Sequence, residues 1–163
     1  MTTSVVIGYD GSEASDGAVR AARDVTGARK AVIVTVWESS LPMLMDTTGG
    51  QIGAVALPDP RTADVLDQAT EGSAHRVTAQ GAQLARELGF AEVEEVVVED
   101  SSNVAITLAQ EAQDREAVAI VVGSHGHSGV YRRIMGTTST TLLKHARCPV
   151  LIVPSVAPEH RGD

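Results

Sequence analysis

Ala117-Val118-Ala119-Ile120-Val121-Val122 runs directly into Gly123-Ser124-His125-Gly126, and nine residues later Gly136 opens Thr137-Thr138-Ser139-Thr140. The apolar run reads as a strand buried on both faces, and Thr137 to His145 reads as a helix. Glycines at the end of the strand and the start of the helix let backbone approach a ligand closely. A helix N-terminus also offers unpaired N–H groups and a positive dipole end to an anion. Thr137, Thr138 and Ser139 add hydroxyl donors at the same point. The stretch therefore predicts a strand, a loop and a helix, with the loop forming a phosphate cradle of backbone and hydroxyls. It contains no Gly-Lys-Ser/Thr and no Gly-x-Gly-x-x-Gly, so it is neither a lysine-bearing P-loop nor a dinucleotide turn.

The same alternation extends through the chain. Val5 to Tyr9 is a short apolar run followed by the turn Asp10-Gly11-Ser12. Ala14, Ala18, Ala21, Ala22 and Val25 then recur at helical spacing up to Gly27. Ala31 to Trp37 is a second strand. Val65, Leu66, Ala69, Ser73, Val77, Leu84 and Leu88 mark a long amphipathic helix ending at Gly89. Val93 and Val96 to Val98 predict a third strand, and Asp100 to Ser102 can cap the next helix, whose inner face carries Val104, Ala105, Leu108, Ala109 and Ala112. Ala117 to Val122 is the fourth strand and Val150 to Val153 the fifth. Strands alternating with helices imply right-handed crossovers and a parallel sheet covered on both faces. Such sheets bind ligands beyond the carboxyl ends of their strands, where the strand order reverses.

The chain has 163 residues, enough for one domain, and 43% of them are hydrophobic but only 2% aromatic. Its core must therefore be built from Val, Ile, Leu and Ala. The net charge of −8 opposes a nucleic-acid partner. The basic candidates, Arg132-Arg133 and Arg147 with Lys144, are few and lack aromatic platforms for stacking bases. The single cysteine allows no intrachain disulfide. No apolar stretch approaches the ~18 residues of a membrane span, and the first residues carry no signal pattern. The expectation is a cytoplasmic protein with neither nucleic-acid nor membrane partners.

Three segments together resemble the universal stress protein family. They are Val5-Val6-Ile7-Gly8-Tyr9-Asp10-Gly11-Ser12, the Gly123-x-x-Gly126, nine residues, Gly136-Thr137 pattern, and His145-Ala146-Arg147-Cys148-Pro149-Val150-Leu151-Ile152-Val153. They bracket the chain from about Ser4 to Pro154. The resemblance implies an α/β fold: a single open five-stranded parallel sheet in the order 3-2-1-4-5 with helices on both faces, Rossmann-like and adenine nucleotide alpha hydrolase-like. It implies one domain over 1–163, with a core of about 4–154, a long loop at 39–61 and a tail at 155–163. It also implies binding of ATP, or of ADP or AMP, with magnesium carried by the phosphates. Asp10 would then lie near the adenosine end, Val36 would contact adenine through its backbone, and Gly8 and Tyr9 would line the ribose side. Gly123, His125, Gly126, His127, Gly136, Thr137, Thr138 and Ser139 would form the phosphate end.

Several residues carry a second reading. Asp10 can make an Asx-turn or a helix cap, which does not preclude a ligand contact. The pair His125-x-His127 lacks nearby cysteine or carboxylate partners, so no metal site is expected. His127 stands where the resembled family often has Arg or Lys, and Glu99-Asp100-Ser101-Ser102 replaces a Gly-x-Pro-type turn. Cys148 reads as a small buried hydrophobe. The stretch 39–61 is either a variable surface loop or a flap or dimer contact. The resemblance implies a homodimer through the last strand, Val150–Val153, and Pro149 suits a strand start or edge. No Gly-x-Ser-x-Gly elbow or activated nucleophile is present, so turnover is at most slow hydrolysis or autophosphorylation. The expected function is a nucleotide-dependent dimeric stress sensor with a regulatory protein partner; the alternative is a scaffold of the same family that binds no nucleotide.

Overall fold

The computed structural model describes residues 3–37, 60–99, 103–124 and 137–154. His125, Gly126, His127, Arg132, Arg133, Gly136, almost all of the 39–61 stretch and the 155–163 tail lie outside the described residues.

Five strands, β1 (Ser4–Gly8), β2 (Lys30–Trp37), β3 (Glu92–Glu99), β4 (Ala119–Gly123) and β5 (Val150–Val153), form one sheet in the order β3-β2-β1-β4-β5. Every neighbouring pair is parallel. The helices between them are α1 (Glu13–Thr26), α2 (Pro60–Glu87), α3 (Val104–Asp114) and α4 (Thr137–His145).

Strand pleating divides the apolar residues between two cores, because successive side chains point to opposite faces. Val5, Ile7, Ala31, Ile33, Ala119 and Val121 pack with α1 and α2. Val6, Val32, Val34, Ile120 and Val122 pack with α3 and α4, where Leu108 and Leu142 fill the space between helix and sheet. The continuous apolar runs of the sequence thus become strands covered on both sides. Each fully buried Val or Ile contributes roughly 1.5–3 kcal/mol relative to exposure.

Local signals explain most element ends. Ser12 caps α1 by accepting from the Ser15 amide, and Gly27 ends it in the left-handed conformation at φ 63°. Three expectations are corrected. Val25 is 68% exposed instead of facing the core, and Ser15 and Val19 are buried in its place. Asn103, one residue beyond the expected Asp100 to Ser102, caps α3 by accepting from the Ala105 amide. Finally, α2 begins at Pro60, so Pro60 and Arg61 are helical and not part of a loop. Proline suits a helix start because its missing N–H is one that would go unpaired there.

The amino-terminal edge of the sheet carries an ion network. Glu94 accepts from Lys30 Nζ at 2.5 Å and from Arg115 Nη2 at 2.9 Å, and Arg115 also pairs with Glu111. This network ties β2 and β3 to the end of α3. The Lys30 hydrogen bond, opposed by burial and reinforced by Arg115, holds the Glu94 carboxyl below its usual range. A depressed carboxyl contributes stability above its unfolded value of about 4.3 and loses it as pH falls through the folded value. Glu94→Gln is therefore expected to lower unfolding free energy at pH 7 by about 1 kcal/mol, after allowing for solvent screening. The deficit should shrink below about pH 4; urea denaturation at pH 7 and at pH 3 measures both.

Candidate functional site

In a parallel sheet all carboxyl ends lie at one edge, so Gly8, Trp37, Glu99, Gly123 and Val153 end together. The chain leaves β1 towards β2 and leaves β4 towards β5, in opposite directions along the sheet. The crevice between the ends of β1 and β4 is the point of reversal, where open α/β sheets place their ligands.

The β1 side is built by a tight turn. Tyr9 extends the β1–β2 ladder by one bond, its amide donating to Val34 O at 2.9 Å. Asp10 Oδ1 accepts from the Ser12 amide at 3.0 Å, an Asx-turn, and Gly11 takes φ +78° between them. Ser12 Oγ then accepts from the Ser15 amide at 3.2 Å and starts α1. Asp10 is half-buried at the crevice edge. Both readings of Asp10 are compatible here, since the Asx-turn bond occupies one of its two oxygens.

Tyr9 is the exception among the residues assigned to the site. Its side chain is buried in the core beneath α1 and α2, and its hydroxyl donates to Asp16 Oδ1 at 2.5 Å. Burial first, then the Asp16 bond and the charges of Asp16 and Asp10, push the Tyr9 phenol well above the ordinary tyrosine range. It is thus a fixed donor at any ordinary pH. The Tyr9 ring faces the core, and its backbone leads into the turn.

Gly123 ends β4 where α1 crosses it. A Cβ on Gly123 would stand 2.7 Å from Ala14 Cβ and 2.9 Å from the Ala14 carbonyl carbon. The glycine is required by packing against the first turn of α1, whatever else occupies the crevice. Ser124 continues the edge by donating its amide to Val153 O at 2.7 Å. Gly8 is similarly confined, with Leu108 Cδ1 3.0 Å and Val122 Cγ1 3.1 Å from where a Cβ would lie. Val36 lies near the carboxyl end of β2, its side chain packed on the α3 face, which leaves its backbone for any contact with a base.

The helix starts at this edge differ in charge. Glu13 and Asp16 occupy the first turn of α1, beside Asp10. Acidic groups there already complement the positive end of the helix dipole. The first turn of α4 has no acidic residue and consists of Thr137, Thr138 and Ser139. Thr138 is exposed and Ser139 is buried, at 3%. Of the two helix starts, that of α4 is the less acidic. The structure brings Gly8, Asp10, Val36, Gly123, Thr137, Thr138 and Ser139 to one edge of the sheet; His125, Gly126, His127 and Gly136 lie outside the described residues.

Sequence reasoning missed Asp16, Thr35 and Gly81. Thr35 is buried and donates its hydroxyl to Tyr9 O at 2.9 Å. Gly81 sits mid-helix in α2, and a glycine inside a helical pattern is a signal of close approach that was available in the sequence. Cys148 is half-buried and its thiol is pushed up by burial, as suits a small hydrophobe.

Gly123→Ala is expected to cost about 1–3 kcal/mol, because backbone atoms of Ala14 cannot yield as a flexible side chain can. Chemical denaturation beside Gly27→Ala, which meets no atom within 4 Å and suffers only its positive φ, separates overpacking from backbone strain.

A family model described as the Universal stress protein family matches residues 1–154. Among solved structures the chain is similar to universal stress protein UspA from Lactobacillus plantarum, with 18% identity, a TM-score of 0.69, and 93% of this chain and 97% of that chain covered. It is similar to a universal stress protein solved in complex with cAMP, with 24% identity, a TM-score of 0.60, and coverage of 94% and 98%. It is also similar to a universal stress protein family protein from Arabidopsis thaliana with AMP bound, with 19% identity, a TM-score of 0.56, and coverage of 99% and 97%. At these identities the similarity to the solved structures is one of fold.

Proposed function

Because the chain belongs to the universal stress protein family, we propose that it binds an adenine nucleotide in the crevice between β1 and β4 and acts in the cytoplasm as a nucleotide-dependent regulator. The observation that carries this reading is the division of charge at the crevice. The acidic, capped start of α1 suits the hydroxyl-rich adenosine end, and the uncharged, hydroxyl-rich start of α4 suits the phosphates. The cAMP and AMP complexes of the similar structures support the same ligand class.

In this reading Asp10 holds ribose hydroxyls, backbone at Val36 reads the adenine edge, and Gly126, Gly136, Thr137 and Thr138 cradle phosphate. Among the described residues no three His, Cys, Asp or Glu side chains converge on one point. A magnesium ion would accordingly arrive with ATP, bound chiefly by phosphate oxygens and water. The ion would also relieve repulsion between the phosphates and a chain of net charge −8. Ligation then changes the crevice edge, and a regulatory protein reads that change. In this reading turnover is at most slow hydrolysis or autophosphorylation, since the sequence has no Gly-x-Ser-x-Gly elbow.

Dimerisation belongs to the same reading. Among the described residues β5 pairs only with β4, and all four of its residues are half-buried, which suits pairing with a strand from a second copy. Sedimentation at micromolar concentration should give a dimer, and Ile152→Arg a monomer; a monomeric wild type contradicts the pairing.

Calorimetric titration with ATP and magnesium, ADP, AMP and cAMP tests the ligand. Micromolar-range binding is expected, lost in a folded Gly126→Val, Gly136→Val double variant and weakened about tenfold in Asp10→Ala, the effect of losing a charged hydrogen bond. A folded wild type that binds none of them would favour the scaffold reading.

A further inference from the structure

Tyr9 precedes the crevice turn and is held from three directions. Its amide bonds Val34 O, its carbonyl accepts from the Thr35 hydroxyl, and its own hydroxyl donates to Asp16. The ring lies in a notch on α2 that only glycine leaves open. A Cβ at Gly81 would stand 2.8 Å from both Cδ1 and Cγ of Tyr9 and 3.0 Å from Ile33 Cγ2. On the same helix, Val77 Cγ1 lies 3.5 Å from where a Cβ on Gly11 would be.

The hydroxyl bond joins points on either side of the turn. Tyr9 stands immediately before Asp10-Gly11-Ser12, and Asp16 stands in the first turn of the helix that follows. Between them the turn has short-range bonds: Ser12 amide to Asp10, Ser15 amide and hydroxyl to Ser12, and Asp16 amide to Ser12 O. The part-buried Tyr9 bond adds a second contact to a carboxylate, and charge-assisted bonds are the strong ones. The bond therefore braces β1 against α1 across the turn and fixes where the Asp10 carboxylate stands.

We propose that Tyr9 is a positioning residue: its bond to Asp16, with its ring seated on Gly81, sets the geometry of the Asp10-Gly11-Ser12 turn and through it the affinity of the crevice for its ligand. Tyr9 itself does not touch the ligand. The affinity part rests on the nucleotide reading given above; the bracing of the turn does not.

Two variants test it on the full chain. Tyr9→Phe keeps the ring and removes the hydroxyl, and Asp16→Asn keeps an oxygen that can accept from it. Amide hydrogen exchange by NMR reads the turn without ligand, and calorimetry with AMP reads affinity. Tyr9→Phe should speed exchange at Ser12 by about tenfold and weaken AMP by a similar factor, the loss of one charge-assisted bond. Amides of Val6 and Val32 in the sheet should be unchanged, and Asp16→Asn, which keeps an acceptor but loses the charge, should fall between wild type and Tyr9→Phe in both readouts. Such local loss, graded between the two variants, is not what a purely structural tyrosine would give. Ser12 exchange at the wild-type rate, or a rise shared equally by Val6 and Val32, overturns the proposal. Faster Ser12 exchange with unchanged AMP affinity overturns the link to the ligand. If wild type binds no AMP while the exchange pattern holds, the nucleotide reading fails and the brace stands.

Discussion

Val5, Val6 and Ile7 of β1 have no solvent-accessible surface, and β1 is hydrogen-bonded along both edges, to β2 and to β4. A strand so enclosed needs apolar cover on two faces, and the chain supplies it with α1 and α2 on one and α3 and α4 on the other. Right-handed crossovers reach both faces only if the chain first works outward on one side of β1 and then returns to build the other. That return produces the reversal between β1 and β4. The crevice is thus a consequence of burying the central strand, and the close fit of Gly123 on Ala14 sets how near its two walls come.

The two edges of the sheet differ in how their charges are arranged. At the amino-terminal edge, Lys30, Glu94, Glu111 and Arg115 neutralise one another in a half-buried network. At the carboxyl edge the charges are left separated, acidic at the start of α1 and absent from the first turn of α4. A ligand with a hydroxyl-bearing end and an anionic end has one favourable orientation in such a field. The geometry of the acidic end depends on Tyr9, which connects the turn to the buried interior of α1 and α2.

Much of this was legible in the sequence because parallel strands covered on both faces read as unbroken apolar runs. Val5 to Tyr9, Ala31 to Trp37 and Ala117 to Val122 each showed that pattern, and Gly27 marked its helix end. Alternation alone left the order of the strands open; the resemblance supplied it. Val25 misled because it continues the alanine spacing of α1 into the last turn, yet it is exposed to solvent there. The cap at Asn103 was hidden among four consecutive residues able to cap. The resemblance put Tyr9 on the ribose side, yet pleating turns its side chain away from Gly8 and Asp10, towards Gly81, which lies 72 positions further along the chain. A contact of that range leaves no local pattern except the glycine itself.

Chemical-shift mapping of the labelled protein with AMP tests the central claim most directly. The account predicts that saturating AMP perturbs amides at Gly8 to Ser12, Val36 and Trp37, Gly123 and Ser124, and Thr137 to Ser139, while the Lys30, Glu94 and Arg115 amides at the far edge stay in place. No perturbation, or perturbation centred away from the carboxyl ends of β1 and β4, would contradict it.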